Sequence, residues 1–434
     1  MGLYKSILKS MSSKYAVYIS NVITLMVLAR YFTPDVFGLV AMVNVFYIFF
    51  QFLSEGGVGP AIINCNKLTK NERDGIFSIT LIMGCVLSLI LYFSSSLISI
   101  LYNNEEIKDL IPFVVVSTFF FSITVLPNAF LLREQRYYVI AFSNILSELT
   151  GLALTLILIN FFEPKYALVS RLVCIPIVNF ICIYFSSRKT EFGRPNVGYN
   201  LLAIKPFLSF SIFQYGYNIV NFFTRNIDSI IVARVLGITS IGLYDRAYQL
   251  MRYPLMLLTF AMTPAIQPTL RDKINDIEAV ESLHFKFTLQ LTALGIAASI
   301  FVFFSAQYIV YYVLGEQWLD VIPLIKILSL AIPIQCVLST SASFYQAFSK
   351  VTLLFANGLF TSFLMIFSAA LIMEFKSITL MCWLVVAVYH ISFIQCYYLM
   401  YKYIFKKSSI KYIVSILSPI LVILLFVYYM SDAA

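Results

Sequence analysis

Charge is what this 434-residue chain has little of: Asp, Glu, Lys and Arg together make up 12% of it. A soluble domain carries about 25%. With 60% hydrophobic residues, the chain cannot cover itself with polar surface, which excludes an ordinary soluble globule and leaves a polytopic membrane protein. Histidine is nearly absent. His284, in an expected cytoplasmic loop, and His390, in an apolar run, are too isolated for a metal or acid–base centre and read as ordinary side chains. The seven cysteines (Cys65, Cys85, Cys174, Cys182, Cys336, Cys382, Cys396) show no metal or redox spacing, so no metal site is expected. Long loops are missing too. The outer connections 33–36, 102–109, 162–165, 237–240, 315–320 and 374–377 are too short to build an external domain. The opening MGLYKSILKSMSSKY has no cleavage-site pattern after its first apolar run, so that run is expected to stay as a first span.

Apolar runs are what the chain has instead. A spanning helix needs about 20 mostly apolar residues. That rule predicts thirteen spans, near 15–32, 36–54, 77–101, 110–132, 138–162, 166–185, 207–236, 241–266, 286–314, 321–348, 351–373, 377–403 and 412–430. The loops alternate in charge. One set holds twenty Lys and Arg, the other only Lys108, Lys165, Lys326 and Lys376. This asymmetry puts the N-terminus and the basic set in the cytoplasm. The net charge of +9 is therefore a topology signal, and no nucleic-acid partner is expected. Leu270, Ile274, Ile277 and Leu283 form an amphipathic stripe expected to lie along the inner membrane surface.

Shifting the chain by 204 residues aligns its halves. Ala29-Arg30 meets Ala233-Arg234, Gly38-Leu39 meets Gly242-Leu243, and Pro60-Ala61-Ile62 meets Pro264-Ala265-Ile266. Spans one and seven then correspond. The repeat unit has six helices, an even number, so the two halves are related by an axis along the membrane normal. The expected division is an N-terminal lobe 1–190, a cytoplasmic linker 191–205, a second six-helix lobe 206–405 and an extra helix in 406–434.

A charge near the bilayer centre is expensive and usually faces a cavity or a partner. Arg30, Arg171 and Arg234 lie near outer helix ends, where snorkelling is an equal alternative. Arg30 and Arg234 gain weight because both repeats place an arginine there. Arg225 and Arg252 fall at matching distances either side of the turn between spans seven and eight, at one depth well inside the membrane. Two cations so placed call for an anion between them. Gln214, Asn218, Asn221, Arg225 and Asp228 form one polar stripe on span seven, read as cavity-facing. Asp228 is also placed to pair with Arg225. Glu148, among Asn144, Ser147 and Thr150, either binds a coupling Na⁺ or H⁺ or pairs with an arginine. Arginine's planar fork suits phosphate recognition, so the interior reads as built for an anion.

The stretches VLARYFTPDVFGLVAMVNVF (27–46), NIDSIIVARVLGITSIGLYDRAYQL (226–250) and VLGEQWLDVIPLIKILSL (313–330) resemble the polysaccharide-exporter family of the multidrug/oligosaccharidyl-lipid/polysaccharide superfamily. The likeness runs in order from about residue 5 to about 405. It implies an all-α protein of two six-helix bundles in a V-shaped alternating-access arrangement, with one or two extra C-terminal helices. It implies a flippase, not an enzyme, in the bacterial cytoplasmic (inner) membrane. The implied substrate is a polyprenyl-diphosphate-linked oligosaccharide carried to the outer leaflet for O-antigen or exopolysaccharide assembly, by coupling to H⁺ or Na⁺. The implied partners are membrane lipids and a glycan polymerase complex, and no other cofactor is implied. Relatives that use cavity arginines for a diphosphate point to Arg225, Arg252, Arg234 and Arg30, with Asn218 and Asn221 beside them. Members have twelve or fourteen spans, so a count of thirteen departs from the pattern and leaves SDAA outside. A multidrug exporter of the same superfamily would favour carboxylates over the six interior arginines found here, Arg246 being the sixth beside those named above. A glycan polymerase or glycosyltransferase would need a long outer loop or clustered acids.

Overall fold

The computed structural model describes residues 3–55, 58–63, 68–205, 219, 222, 226–259, 276–348 and 350–432. Helix is the regular structure throughout these residues. The helices are α1 (Leu3–Tyr31), α2 (Pro34–Glu55), α3 (Val58–Ile63), α4 (Lys70–Phe93), α5 (Ser95–Tyr102), α6 (Glu106–Arg133), α7 (Tyr137–Leu158), α8 (Pro164–Ser187), α9 (Gly237–Thr259), α10 (Ile277–Ile309), α11 (Val321–Ser329), α12 (Ile332–Ala347), α13 (Val351–Phe375), α14 (Ile378–Met400) and α15 (Ile410–Asp432). Among the described residues ten helical segments are long and apolar enough to cross a membrane, or eleven when the bent pair α11–α12 counts as one. The chain is a multi-pass membrane protein. Its large exposed apolar side chains, such as Phe93, Leu97, Phe161, Phe301 and Phe363, stand where lipid replaces water.

Local chemistry explains where the helices start and stop. Pro34 opens α2 with its ring in place of an N–H that has no helical partner, and Asp35 sits in that first turn. Thr69 and Glu72 cap α4 reciprocally. Asp276 accepts from the Ala279 amide at 2.9 Å to start α10. Two helices end alike on the tripeptide Val-Leu-Gly: π-turns at Val232–Leu236 and Val310–Leu314 run into Gly237 (φ 85°) and Gly315 (φ 101°). Only glycine adopts such a φ without strain, so the sharp stop is written in the sequence.

The expected span 321–348 is two helices meeting at 56°, with Pro333 in the first turn of the second. Pro127, Pro176 and Pro254 lie inside helices, whereas Pro264 is outside the described residues. At Pro176 the lost helical bond is replaced. The carbonyl of Leu172, four residues earlier, accepts the Ser117 hydroxyl of α6 at 2.6 Å. Ser117→Ala should therefore orphan a carbonyl away from water and lower stability by about 1–3 kcal/mol, read as an earlier thermal unfolding of the purified protein in detergent. An unmoved transition would mean that this hydrogen bond contributes nothing net.

His284 corrects the loop expectation. It lies on α10, fully buried, ringed by Phe344, Tyr397, Tyr401, Phe405 and Tyr412 with ring centroids 4.7–5.9 Å away. Glu281 and Lys286 on either side suggest a polar surface, but an imidazole flanked by charges can turn inward on one helical face. Ile277 and Leu283 of the amphipathic stripe belong to the same helix; Leu270 and Ile274 lie outside the described residues.

The chain forms two compact units, Met1–Gly242 and Leu243–Ala434, with the boundary inside α9. In the first, hydroxyl bonds tie helices together in place of a hydrophobic drive: Ser122 of α6 donates to Ser54 of α2 at 2.7 Å, and Ser88 of α4 to the Val115 carbonyl at 3.0 Å. Residues 188–200 are strapped onto the start of α4. Arg73 donates to the Phe192 carbonyl at 2.6 Å, Asp74 accepts from the Asn196 amide at 2.9 Å, and Ser78 and Gly198 exchange bonds at 2.7 and 2.8 Å. A Cβ on Gly75 would stand 2.0 Å from the Asn200 carbonyl oxygen, so this approach requires glycine. In the second unit, Tyr345 donates to the Cys396 carbonyl at 2.6 Å and Tyr397 to the Val337 carbonyl at 2.8 Å, joining α12 and α14.

Candidate functional site

The repeat reappears as a contact inside the first unit. Gly38 of α2 lies against the backbone of Ile238; an added Cβ would stand 2.1 Å from the Ile238 oxygen. Gly242 of α9 lies against Pro34, where an added Cβ would stand 2.0 Å from the Pro34 oxygen and 3.1 Å from the Gly38 nitrogen. Positions 34 and 38 are the repeat mates of 238 and 242. The two glycines thus make the same contact in exchanged roles, which requires a local two-fold between the helix ends. Asp35 and its repeat mate Thr239 are hydrogen-bonded across that axis. The sequence shows the matching glycines but not that they touch.

Beside this seam is a cavity of about 860 Å³, lined by residues that include Asp35, Glu106, Lys165, Arg234 and Thr239. Lys165 bridges Glu106 at 2.8 Å and Glu163 at 3.2 Å. Arg234 donates to the carbonyls of Ile100 and Leu101 at 2.5 and 2.7 Å. Those carbonyls belong to the last turn of α5, where orphan acceptors and the helix dipole both favour a cation. Arg234 thus helps fix the end of α5 and faces this cavity at once.

The other expected site residues are placed as follows. Arg225, Asn218 and Asn221 lie outside the described residues, as does Gln214. Asp228 is buried, and its carboxylate accepts the Ser229 amide at 2.8 Å. Arg30 stands exposed in the last turn of α1. Glu148 of α7 is buried and paired with Arg171 of α8. In the second unit, Arg252 of α9 lies 5.3 Å from the centroid of the Tyr248 ring, one turn away, and the Tyr248 hydroxyl bonds that of Tyr389 on α14. Among the described residues no group of three or more His, Cys, Asp or Glu is placed to hold a metal ion.

The family described as polysaccharide biosynthesis protein matches residues 27–323. The chain belongs to that family. The chain is 22% identical to the teichuronic acid biosynthesis protein TuaB of Bacillus subtilis (strain 168), over 86% of this chain and 77% of that one. It is 23% identical to the lipopolysaccharide biosynthesis protein WzxC of Escherichia coli (strain K12), over 80% and 70%. The fold of this polysaccharide biosynthesis family member is that of a solved lipid II flippase MurJ in an inward closed conformation, with a TM-score of 0.77 and 15% identity over 98% of this chain and 93% of that one. An inward-facing multidrug (MATE) transporter of the MOP superfamily shares it at a TM-score of 0.69 and 12% identity, over 99% of each chain. The all-helical MOP fold expected from the sequence is the fold observed.

Proposed function

We propose that this protein is a flippase that carries a polyprenyl-diphosphate-linked oligosaccharide from the cytoplasmic to the outer leaflet of the bacterial inner membrane, with its N-terminus in the cytoplasm. The observation that carries the transport reading is the glycine seam. A contact made by equivalent turns of two repeats, held by backbone approach and one hydrogen bond, can open without unfolding either helix. Family membership supports a substrate from cell-surface glycan assembly, since relatives are named for teichuronic acid and lipopolysaccharide biosynthesis. Arg225 and Arg252, with Arg234 and Arg30, hold the diphosphate, aided by Asn218 and Asn221. The glycan passes through the protein while the polyprenyl tail stays in lipid. An H⁺ or Na⁺ gradient drives the cycle, with Asp228 or Glu148 as the group that senses it, and the product is handed to a glycan polymerase complex. The protein itself makes and breaks no covalent bond.

The test is leaflet sidedness of the lipid-linked glycan in a deletion strain, probed with an enzyme that modifies only outward-facing glycan. Wild type should restore outer exposure. Arg225→Ala and Arg252→Ala should each reduce it by about tenfold or more, the loss of one charge-assisted phosphate contact of about 1.5–3 kcal/mol. Outer exposure of unpolymerised repeat units in the deletion strain itself would end the flippase reading and point to a polymerase.

A further inference from the structure

Within the first unit lies a second cavity, of about 460 Å³, with a different chemistry. Its walls come from α2, α6, α7 and α8, and its polar lining includes Gln51, Glu55, Asn128, Asn144 and Asn179 beside the ring of Tyr47. Tyr47, Gln51 and Glu55 follow at intervals of four, so one face of α2 supplies them. Among the described lining residues Glu55 is the one charged side chain, and no Lys or Arg contributes. Asn179 Nδ2 donates to Asn144 Oδ1 at 2.6 Å, which fixes the two amides relative to each other. That bond leaves the Asn144 Nδ2 donors and the Asn179 Oδ1 acceptor for a further partner.

The lining excludes several occupants. A phosphate or uronate would enter without a cation to receive it. A bare metal ion needs a tight shell of oxygens at about 2.3–2.6 Å, which a cavity of this size does not provide. A lipid tail would leave the remaining donors and acceptors of these amides unmet, at a cost of about 1–3 kcal/mol for each such group. An uncharged polyol fits: amides offer donor and acceptor together to neighbouring hydroxyls, and a tyrosine ring covers the C–H face of a sugar. The volume falls within the range of about 300–1,000 Å³ typical of small-ligand sites. The position also fits. Gln51 and Glu55 lie in the last turns of α2, Asn128 near the end of α6, and Asn144 near the start of α7. These are the ends next to the strap 188–200, the side from which the proposed substrate is loaded.

We infer that this cavity receives an uncharged sugar ring of the carried oligosaccharide, bound through Gln51, Asn128, Asn144 and Asn179, and so sets glycan selectivity; the inference rests on the flippase reading. The full-length protein in proteoliposomes would be given two probes, a polyprenyl-diphosphate with a neutral N-acetylhexosamine–hexose head and the same lipid ending in a hexuronate. Initial flipping rates and equilibrium binding in detergent would both be measured. Wild type should favour the neutral probe by about tenfold or more, the effect of about 1.4 kcal/mol. Gln51→Arg should bring that ratio to about one by giving the uronate a partner. The pair Asn144→Leu/Asn179→Leu should weaken neutral-probe binding by about tenfold. The ratio is independent of the fraction of protein that folds, so a poorly expressed variant still reports. Binding that is selective and shifts with these variants, without any flipping, would overturn the transport reading and leave the cavity assigned. Flipping with a ratio unmoved by Gln51→Arg and by the asparagine pair would overturn the cavity assignment alone. Binding of neither probe would overturn both.

Discussion

Gly242→Val should cut outward delivery of lipid-linked glycan by roughly five- to 150-fold, the range expected if a penalty of about 1–3 kcal/mol falls on one conformation alone. The penalty is specific because the added Cβ would stand 2.0 Å from the Pro34 carbonyl oxygen, and backbone cannot swing aside as a side chain can. Only the state with the seam closed feels the clash, so the population moves toward the open state and the cycle stalls there. Gly38→Val should do the same, because its Cβ would meet the Ile238 oxygen at 2.1 Å. Gly358→Val on α13 is the control, since nothing lies within 4 Å of its added Cβ. The decisive measurement pairs glycan sidedness with labelling of Val36→Cys by an impermeant thiol reagent added outside. Labelling should rise in the valine variants as delivery falls. Normal delivery with unchanged labelling in both would show that the seam has no part in transport.

Arg171→Ala should be the most destabilising single change in the first unit, by about 3–5 kcal/mol, the cost of leaving one member of a buried pair uncompensated. Glu148 is only 6% exposed and has Arg171 as its ionic partner. The double replacement Glu148→Gln/Arg171→Met removes both charges and should recover most of the loss, because what costs energy is the stranded carboxylate. Thermal unfolding of the purified protein in detergent, with loss of the monodisperse peak as the readout, checks both. If the double variant unfolds as early as the single one, the pair is contributing packing and not charge compensation.

Much of this architecture was legible in the sequence, for a physical reason. Lipid demands long apolar helices, so an all-helical membrane fold follows from composition; the count is less legible, since thirteen spans are expected and the described residues hold ten, or eleven with the bent pair. The repeat was legible because glycine and arginine are rare enough in such helices for their coincidence to stand out. What pattern could not supply is who touches whom. Gly38 and Gly242 align on paper as equivalents, yet nothing in the alignment says that each rests on the other's helix. Glu148 offered two readings, and only packing of α7 on α8 brings Arg171 to it. Asn128, Asn144 and Asn179 were each visible as polar interruptions in apolar runs, but they converge only once three helices are assembled. His284 was misplaced because its charged neighbours outweighed its own inward face. The apolar run continues through Leu330–Ala331, and Pro333, in the first turn of the helix that follows, is what marks the bend there in the sequence.

The glycine seam also fixes an order of events during synthesis. Its two sides are 204 residues apart, so at about 5–20 residues per second roughly 10–40 s pass between the arrival of the first side in the membrane and the arrival of its mate. Through that interval the first turns of α2 carry a glycine surface with nothing against it. Because the missing mate is that surface's own repeat counterpart, the face most similar to it is the same face on another nascent chain. A chain released before residue 237 therefore carries the means to pair with its own kind, and completing the second half is what withdraws that option.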